Sequence, residues 1–118
     1  MFDYKTKWAL ITGASSGIGE AFARELAQKG ANLVLVARRK ERLEALANEL
    51  RREYHIEINI IPLDLAQVEA PQQLSDEVLK LKHPIQILIN NAGVGVYGNL
   101  HETDIKKNEQ LILLNVFA

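Results

Sequence analysis

The chain lacks the residues on which several classes of protein depend. It has no cysteine among its 118 residues, which excludes a disulfide framework and a thiolate metal site. Its three histidines, His55, His83 and His101, are too scattered to predict a metal cluster. No apolar stretch reaches the roughly 18 residues of a membrane span, and the opening residues MFDYKTKW lack the apolar region of a secretory signal. We therefore expect a cytoplasmic protein with no metal and no membrane partner.

An excess of charge of one sign is lacking as well. The 14 Lys and Arg residues stand against 15 Asp and Glu residues, the net charge is −1, and no block of like charge occurs. A nucleic-acid-binding surface needs a basic patch, so we expect no nucleic-acid partner. With 47% apolar and 25% charged residues the composition is that of an ordinary globular domain, and the length suits one domain with one core.

The sequence does contain a regular alternation of two patterns. Short continuous apolar runs, which are typical of buried strands, cover residues 7–12, 31–37, 56–63 and 85–90. Segments with helix-forming residues or apolar residues at helical spacing cover 17–29, 39–54, 71–82 and a last stretch from Thr103 or Asp104 to the chain end. This order predicts an α/β fold, a Rossmann-type doubly wound parallel sheet that is truncated after the fourth strand and the helix following it.

A glycine-rich turn, TGASSGIG, follows the first predicted strand. Gly13 suits the tight turn, Gly17 permits close approach of a pyrophosphate, and Gly19 permits close packing of the helix on the sheet. The helix N-terminus then presents free N–H groups to phosphates, and Ser15 and Ser16 add hydroxyl donors. The alternative is a turn that merely needs glycine, but the position between strand and helix of a βαβ unit favours a dinucleotide site.

The end of the second strand predicts which dinucleotide binds. An NAD site places Asp or Glu there to hold the ribose 2′-OH, whereas this chain has Ala37 followed by Arg38 and Arg39. A guanidinium suits phosphate oxygens, so this sequence favours NADP(H) over NAD(H). The alternative is that both arginines are solvated residues at a helix start, although cations there are mildly unfavourable.

Taken together, these motifs resemble the short-chain dehydrogenase/reductase family. TGASSGIG resembles the family's cofactor motif, Asp64-Leu65 its adenine-contacting pair, and Asn90-Asn91-Ala92-Gly93 its NNAG motif. Asn115 lies where the family has a catalytic asparagine, in the helix after the fourth strand. The four features occur in the family's order over residues 12–115, so the resemblance spans nearly the whole chain.

The resemblance implies hydride transfer between a nicotinamide and a small-molecule carbonyl or alcohol substrate. It implies that Asn115 is catalytic and holds a water in a proton relay. The glycine turn, the arginines after the second strand and the family motifs together give the residues that we expect to bind the cofactor, which are Gly13, Ser15, Ser16, Gly17, Ile18, Gly19, Arg38, Arg39, Asp64, Leu65, Asn90, Ala92 and Gly93. We expect Asn91 to be mainly structural. Two alternatives stay open, that Asp64 only caps a helix or turn, and that Asn115 is a core amide.

The family's tyrosine and lysine, spaced as YxxxK, do not occur in the sequence. Tyr4, Tyr54 and Tyr97 are the three tyrosines, and none has lysine four residues later. We therefore expect residues 1–118 to be the cofactor-binding portion of a longer single-domain enzyme, inactive by itself. We also expect an open edge on the fourth strand that promotes homo-oligomers. The alternative function is a non-catalytic nucleotide-binding or self-associating module.

Overall fold

The strands and helices alternate as the sequence predicts up to residue 90. The computed structural model describes residues 3–15, 17–64, 69–91 and 112–115. Its elements are β1 (Trp8–Thr12), α1 (Gly17–Gln28), β2 (Asn32–Ala37), α2 (Lys40–Tyr54), β3 (Ile58–Pro62), α3 (Ala70–Leu81), β4 (Ile85–Asn90) and β5 (Ile112–Asn115). The first seven match the predicted segments to within a few residues, because apolar runs and helical spacing are strong signals of buried strands and amphipathic helices.

The five strands form one sheet in the order β3-β2-β1-β4-β5, with every neighbouring pair parallel. β1 lies in the middle, and all five of its residues are buried, as expected for a parallel strand that is covered on both faces. Sheet order and strand direction confirm the predicted Rossmann-type fold. In the part of the chain that the structure describes, no helix is long and apolar enough to cross a membrane.

The helices cover the two faces of the sheet unequally. On one face Leu26 of α1 and Leu46 of α2 pack in a cluster with Ile11 and Leu35 of the strands. On the other face Leu74 of α3 packs with the strand residues Trp8, Leu10 and Leu88. The helices that follow β1 and β2 thus lie on one face of the sheet, and the helix that follows β3 lies on the other. β1 and β4 are neighbours in the sheet, but the chain runs from β1 toward β2 and from β4 toward β5, on opposite sides. Open α/β sheets bind ligands in the crevice at such a switch point, outside the carboxyl ends of the strands.

The prediction for residues 112–115 was wrong. Instead of the second half of a helix they form β5, whose residues pair in register with β4 from Ile87–Ile112 to Asn90–Asn115. The run LILLN has four apolar residues before Asn115, and a short apolar run fits a buried strand as well as a buried helix. Because β5 pairs with β4, the expected open edge on β4 was also wrong. The start of the predicted helix lies outside the described residues.

Candidate dinucleotide site

Four of the predicted binding segments meet at one edge of the sheet. Parallel strands end at the same edge, and Thr12, the last residue of β1, is in register with Val36 of β2 and Asn90 of β4. The glycine turn follows β1, the two arginines follow β2, Asp64 follows β3, and the asparagines end β4. The fold therefore assembles segments that are far apart in sequence around the switch point.

The glycines of the turn differ in what surrounds them. Gly13 has a φ of 65°, in the left-handed region that favours glycine. Gly19 is buried, and a Cβ there would overlap the Gly13 carbonyl group, with its carbon at 2.8 Å, and would lie 2.9 Å from Nδ2 of Asn91. Gly17 is exposed, and among the described residues a Cβ there would meet no heavy atom within 4 Å. Gly19 thus serves helix packing, whereas Gly17 leaves open space at the helix N-terminus.

Two side-chain hydrogen bonds, one buried and one part-buried, tie the end of β1 and the turn to β4. The Thr12 hydroxyl donates to Oδ1 of Asn90 at 3.0 Å, and Nδ2 of Asn91 donates to the Gly13 carbonyl oxygen at 3.2 Å. Both asparagines are buried, with 7% and 6% of their surface exposed, so these contacts are shielded from competing water. They hold the two strand ends that border the switch point at a fixed separation. Thr12 was not among the predicted site residues, because its partner Asn90 is distant in sequence.

At the end of β2 the structure leaves two guanidinium groups available. Ala37 is buried and contributes no carboxylate, while Arg38 and Arg39 are exposed. Arg39 is the N-cap of α2 and makes no side-chain capping hydrogen bond. Among the described residues, neither guanidinium has a hydrogen-bond or ion-pair partner. The start of α2 therefore carries uncompensated positive charge next to the carboxyl edge of the sheet.

A groove of about 480 Å³ opens beside the turn, between α1 and α2. Ser15 lies at the turn, and the charged residues lining the groove are Glu20, Arg42, Glu49 and Arg52. Both carboxylates bind Arg24, whose Nη2 lies 2.6 Å from Glu49 and whose Nε lies 3.7 Å from Glu20. The hydrogen bond that Arg24 donates to Glu49 is the main reason why the pKa of Arg24 is raised. Arg24 thus offsets part of the negative charge of the two carboxylates.

Three further predicted site residues lie on α1, after β3 and on β5. Ile18 is exposed, with 44% of its surface accessible, on the first turn of α1. Asp64 is half-buried after β3. Asn115 is the last residue of β5, and its backbone pairs with that of Asn90. The prediction that Asn115 lies in a helix was therefore wrong. Those that lie outside the described residues are Ser16, Leu65, Ala92 and Gly93.

No group of three or more metal-ligating side chains occurs in the part of the chain that the structure describes. Besides the Asp64 carboxylate, the polar groups at the carboxyl edge are amides, hydroxyls, backbone N–H groups and guanidinium groups. These are the donors that bind phosphate and ribose oxygens.

A parallel sheet with a glycine turn at the carboxyl end of its central strand defines the class of dinucleotide-binding α/β proteins. Within that class the chain belongs to the short chain dehydrogenase family, whose sequence profile matches residues 7–118.

Individual relatives agree with this assignment. A very-long-chain 3-oxoacyl-CoA reductase of Scheffersomyces stipitis is 40% identical over 119 residues, covering 97% of this chain and 34% of the reductase. The 11-beta-hydroxysteroid dehydrogenase-like protein 2 of Arabidopsis thaliana is 51% identical over 88 residues, covering 75% of this chain and 29% of that protein. A short-chain dehydrogenase from Sphingobium yanoikuyae, solved in complex with NADPH, has a TM-score of 0.80 at 30% identity, covering 92% of this chain and 52% of the other. The chain thus spans about a third of the length of these curated relatives.

Proposed function

We propose that this chain binds NADP(H) in an oxidoreductase that moves a hydride between the nicotinamide and a carbonyl or alcohol carbon of a small-molecule substrate. The observation that carries the proposal is the end of β2, where Ala37 leaves no carboxylate and is followed by two arginines that have no partner among the described residues. A carboxylate at this position would hold a ribose 2′-OH and repel a 2′-phosphate. The family relative solved with NADPH supports the same choice.

The residues present fit a dinucleotide. The open space at Gly17 is the kind of opening that a pyrophosphate would occupy above the N-terminus of α1, a 12-residue helix. Gly13, Ser15, Ser16, Ile18 and Gly19 would form the turn around it. Arg38 and Arg39 would hold the 2′-phosphate, and Asp64 with Leu65 would contact the adenine. Asn90, Ala92 and Gly93 would border the ribose next to the nicotinamide.

The cofactor supplies the hydride chemistry, and the chain's part is to bind and orient it. The fixed separation of the β1 and β4 ends, held by Thr12 and Asn91, keeps this edge in one geometry. Asn115 is the proposed catalytic amide, and its place beside Asn90 in register brings its backbone to the same edge. The 118 residues contain no YxxxK pair, so we propose that they bind cofactor without reducing a carbonyl by themselves. We also propose that the protein is cytoplasmic and forms homo-oligomers. Sedimentation measures the oligomeric state.

Titrating the chain with NADPH and NADH tests the proposed cofactor. We expect NADPH to bind at least about tenfold more tightly, since one charge-assisted phosphate contact contributes roughly 1.5–3 kcal/mol. Ala37→Asp is the complementary variant, because its carboxylate would repel the 2′-phosphate and accept the ribose hydroxyl. It should reduce or reverse the preference, and Ala37→Ser is the uncharged control. Equal affinities in the unaltered chain would contradict the proposal.

A further inference from the structure

β3 is an edge strand of the sheet, and part of its backbone hydrogen-bonding groups point away from the other strands. It stands first in the sheet order, with β2 as its neighbour. Leu33 donates its N–H to the carbonyl oxygen of Glu57, and Leu63 donates its N–H to that of Ala37. Because successive residues of a strand direct these groups to alternate sides, the odd-numbered residues face β2. The residues whose backbone groups point outward are therefore Ile58, Ile60 and Pro62.

Arg51 covers the outward carbonyl group at the start of this edge. It lies in the last turn of α2, and its Nη2 donates a hydrogen bond to the carbonyl oxygen of Ile58. Nη1 of the same guanidinium donates to Oδ1 of Asn48 at 3.2 Å. Asn48 is one turn earlier on α2, so the planar group is fixed between the helix and the strand. A strand that approached β3 would have to displace it from Ile58.

Pro62 closes the other end of the edge. Proline has no N–H group, so this residue cannot donate to a neighbouring strand. In the part of the chain that the structure describes, Ile60 is the one outward residue of β3 whose donor and acceptor are both unoccupied. A strand usually pairs over about three residues or more, so the edge offers too few groups for a stable ladder.

Without this protection β3 would suit pairing with a copy of itself. Residues 58–61 have the sequence INII, which contains three β-branched residues and no charge. β-branched residues favour strands, and an uncharged, mainly apolar segment at an open edge is a template for pairing between identical chains. Arg51 and Pro62 are therefore placed where a second copy would otherwise add.

We propose that Arg51 and Pro62 block the β3 edge against strand pairing with a second copy of this chain. Arg51 occupies the acceptor at one end of the edge, and Pro62 removes the donor at the other. Self-association of the protein must then use a different surface. This inference does not depend on the proposed cofactor, because neither residue belongs to the proposed dinucleotide site.

Arg51→Ala and Pro62→Ala test the two contributions separately in the full chain. Sedimentation velocity at increasing protein concentration measures association, and hydrogen exchange followed by NMR measures protection of the Ile60 amide. We expect each variant to associate about two- to tenfold more tightly than the unaltered chain, the range for one backbone hydrogen bond gained. The Ile60 amide should exchange about twofold more slowly when half of the variant is associated, because exchange then proceeds from the unpaired half.

Arg52→Ala is the matched control for the loss of charge. Arg52 follows Arg51 in the last turn of α2 and carries the same charge, but among the described residues it makes no hydrogen bond to β3. Its replacement should leave association and exchange at Ile60 within about twofold of the unaltered chain. Arg51→Met keeps much of the aliphatic side chain without the donors, so it should act like Arg51→Ala even where alanine loosens α2. Circular dichroism on every variant checks that the fold is retained.

Tighter association of Arg51→Ala and Pro62→Ala with slower exchange at Ile60 supports the proposal. If neither variant associates more than the unaltered chain, or if Arg51→Ala only matches Arg52→Ala, these residues do not block the edge. If the variants associate while exchange at Ile60 stays the same, they use another surface and the proposal is wrong. Protection of Ile60 that rises with concentration in the unaltered chain would show that the edge already pairs, and would also contradict it.

Discussion

Gly19 of α1 lies against the carbonyl group of Gly13, so close that a Cβ on Gly19 would stand 2.8 Å from the carbonyl carbon. The same Cβ would meet Nδ2 of Asn91, which donates to that carbonyl oxygen. Backbone atoms are thus in direct contact where the first turn of α1 meets the residue after β1, and the residue after β4 packs against both. Gly17, two residues earlier, has open space in the corresponding direction.

Alanine at these two positions should therefore have opposite effects. Gly19→Ala must displace backbone, so we expect it to lower the free energy of unfolding by about 1–3 kcal/mol, the range for an overpacked site. Gly17→Ala places its methyl group in open space, so its stability should be unchanged or slightly higher, since alanine favours helix. NADPH affinity should nevertheless fall at least about tenfold. Urea denaturation and NADPH titration of both variants check this, and normal NADPH binding by Gly17→Ala would show that the space is not used.

Arg38→Ala should weaken NADPH binding far more than NADH binding. Arg38 is exposed, so we expect the lower end of the range for a charge-assisted contact, about a tenfold loss for NADPH. NADH lacks the phosphate, and its affinity should change less than about twofold. Calorimetric titration with both cofactors measures the difference, and Lys40→Ala, which removes a cation two residues away, serves as control. Equal losses for the two cofactors would mean that Arg38 acts on the fold and not on the phosphate.

The ion pair between Arg24 and Glu49 should affect binding more clearly than folding. Both side chains are more than two-fifths exposed, at 41% and 45%, so the pair should contribute less than about 1 kcal/mol to stability. Arg24→Ala, however, leaves Glu20 and Glu49 uncompensated in the groove. We expect NADPH affinity to fall about two- to threefold through repulsion of the phosphate, and Arg24→Ala with Glu49→Gln should restore most of it. A double variant that is as weak as the single one would rule out the electrostatic cause.

The stack of His83 on Trp8 provides a fluorescence signal for folding. The two rings are parallel to within 8°, with centroids 3.9 Å apart, and Trp8 is the single tryptophan of the chain. We expect His83→Ala to raise Trp8 emission, because an imidazole in contact quenches indole fluorescence. It should also lower the free energy of unfolding by about 0.5–1.5 kcal/mol, the range for a stacked pair. His83→Phe should keep the stability and lose the quenching, so loss of both in that variant would contradict the interpretation.

How well the sequence predicted each element depends on whether the signal for that element lies within it or in residues that are distant in sequence. β1 to β4 and the three helices are marked by apolar runs, helical spacing and glycine stops that lie within the element itself. The three apolar residues that begin the segment 112–115 fit a strand as well as a helix. Only the pairing with β4 determines that the segment is a strand. The glycine motif predicted the turn, but the different surroundings of Gly17 and Gly19 depend on Gly13 and Asn91.

The candidate site was predictable where it follows strand ends and not where helices meet. The common edge of Arg38 and Asp64 could be predicted because residues directly after parallel strands lie at one edge of the sheet. The groove between α1 and α2 was not predicted, because residues from the turn and from both helices line it together only in the tertiary structure. Thr12 was missed for the same reason, since its partner Asn90 is 78 residues away in sequence.

That separation has a consequence for how the chain acquires its fold. β1 pairs with β2, which follows directly after α1, and with β4, which is synthesised only after β3 and α3. While the chain leaves the ribosome, β1, β2 and β3 can assemble under α1 and α2 with nearly all of the larger apolar cluster in place. One side of β1 keeps unpaired backbone groups until Asn90 arrives, so closure of the β1–β4 pair is a late, long-range event of the kind that slows folding and exposes nascent chains to aggregation. The switch point at which the cofactor would bind therefore forms only when β4 joins the three strands already assembled.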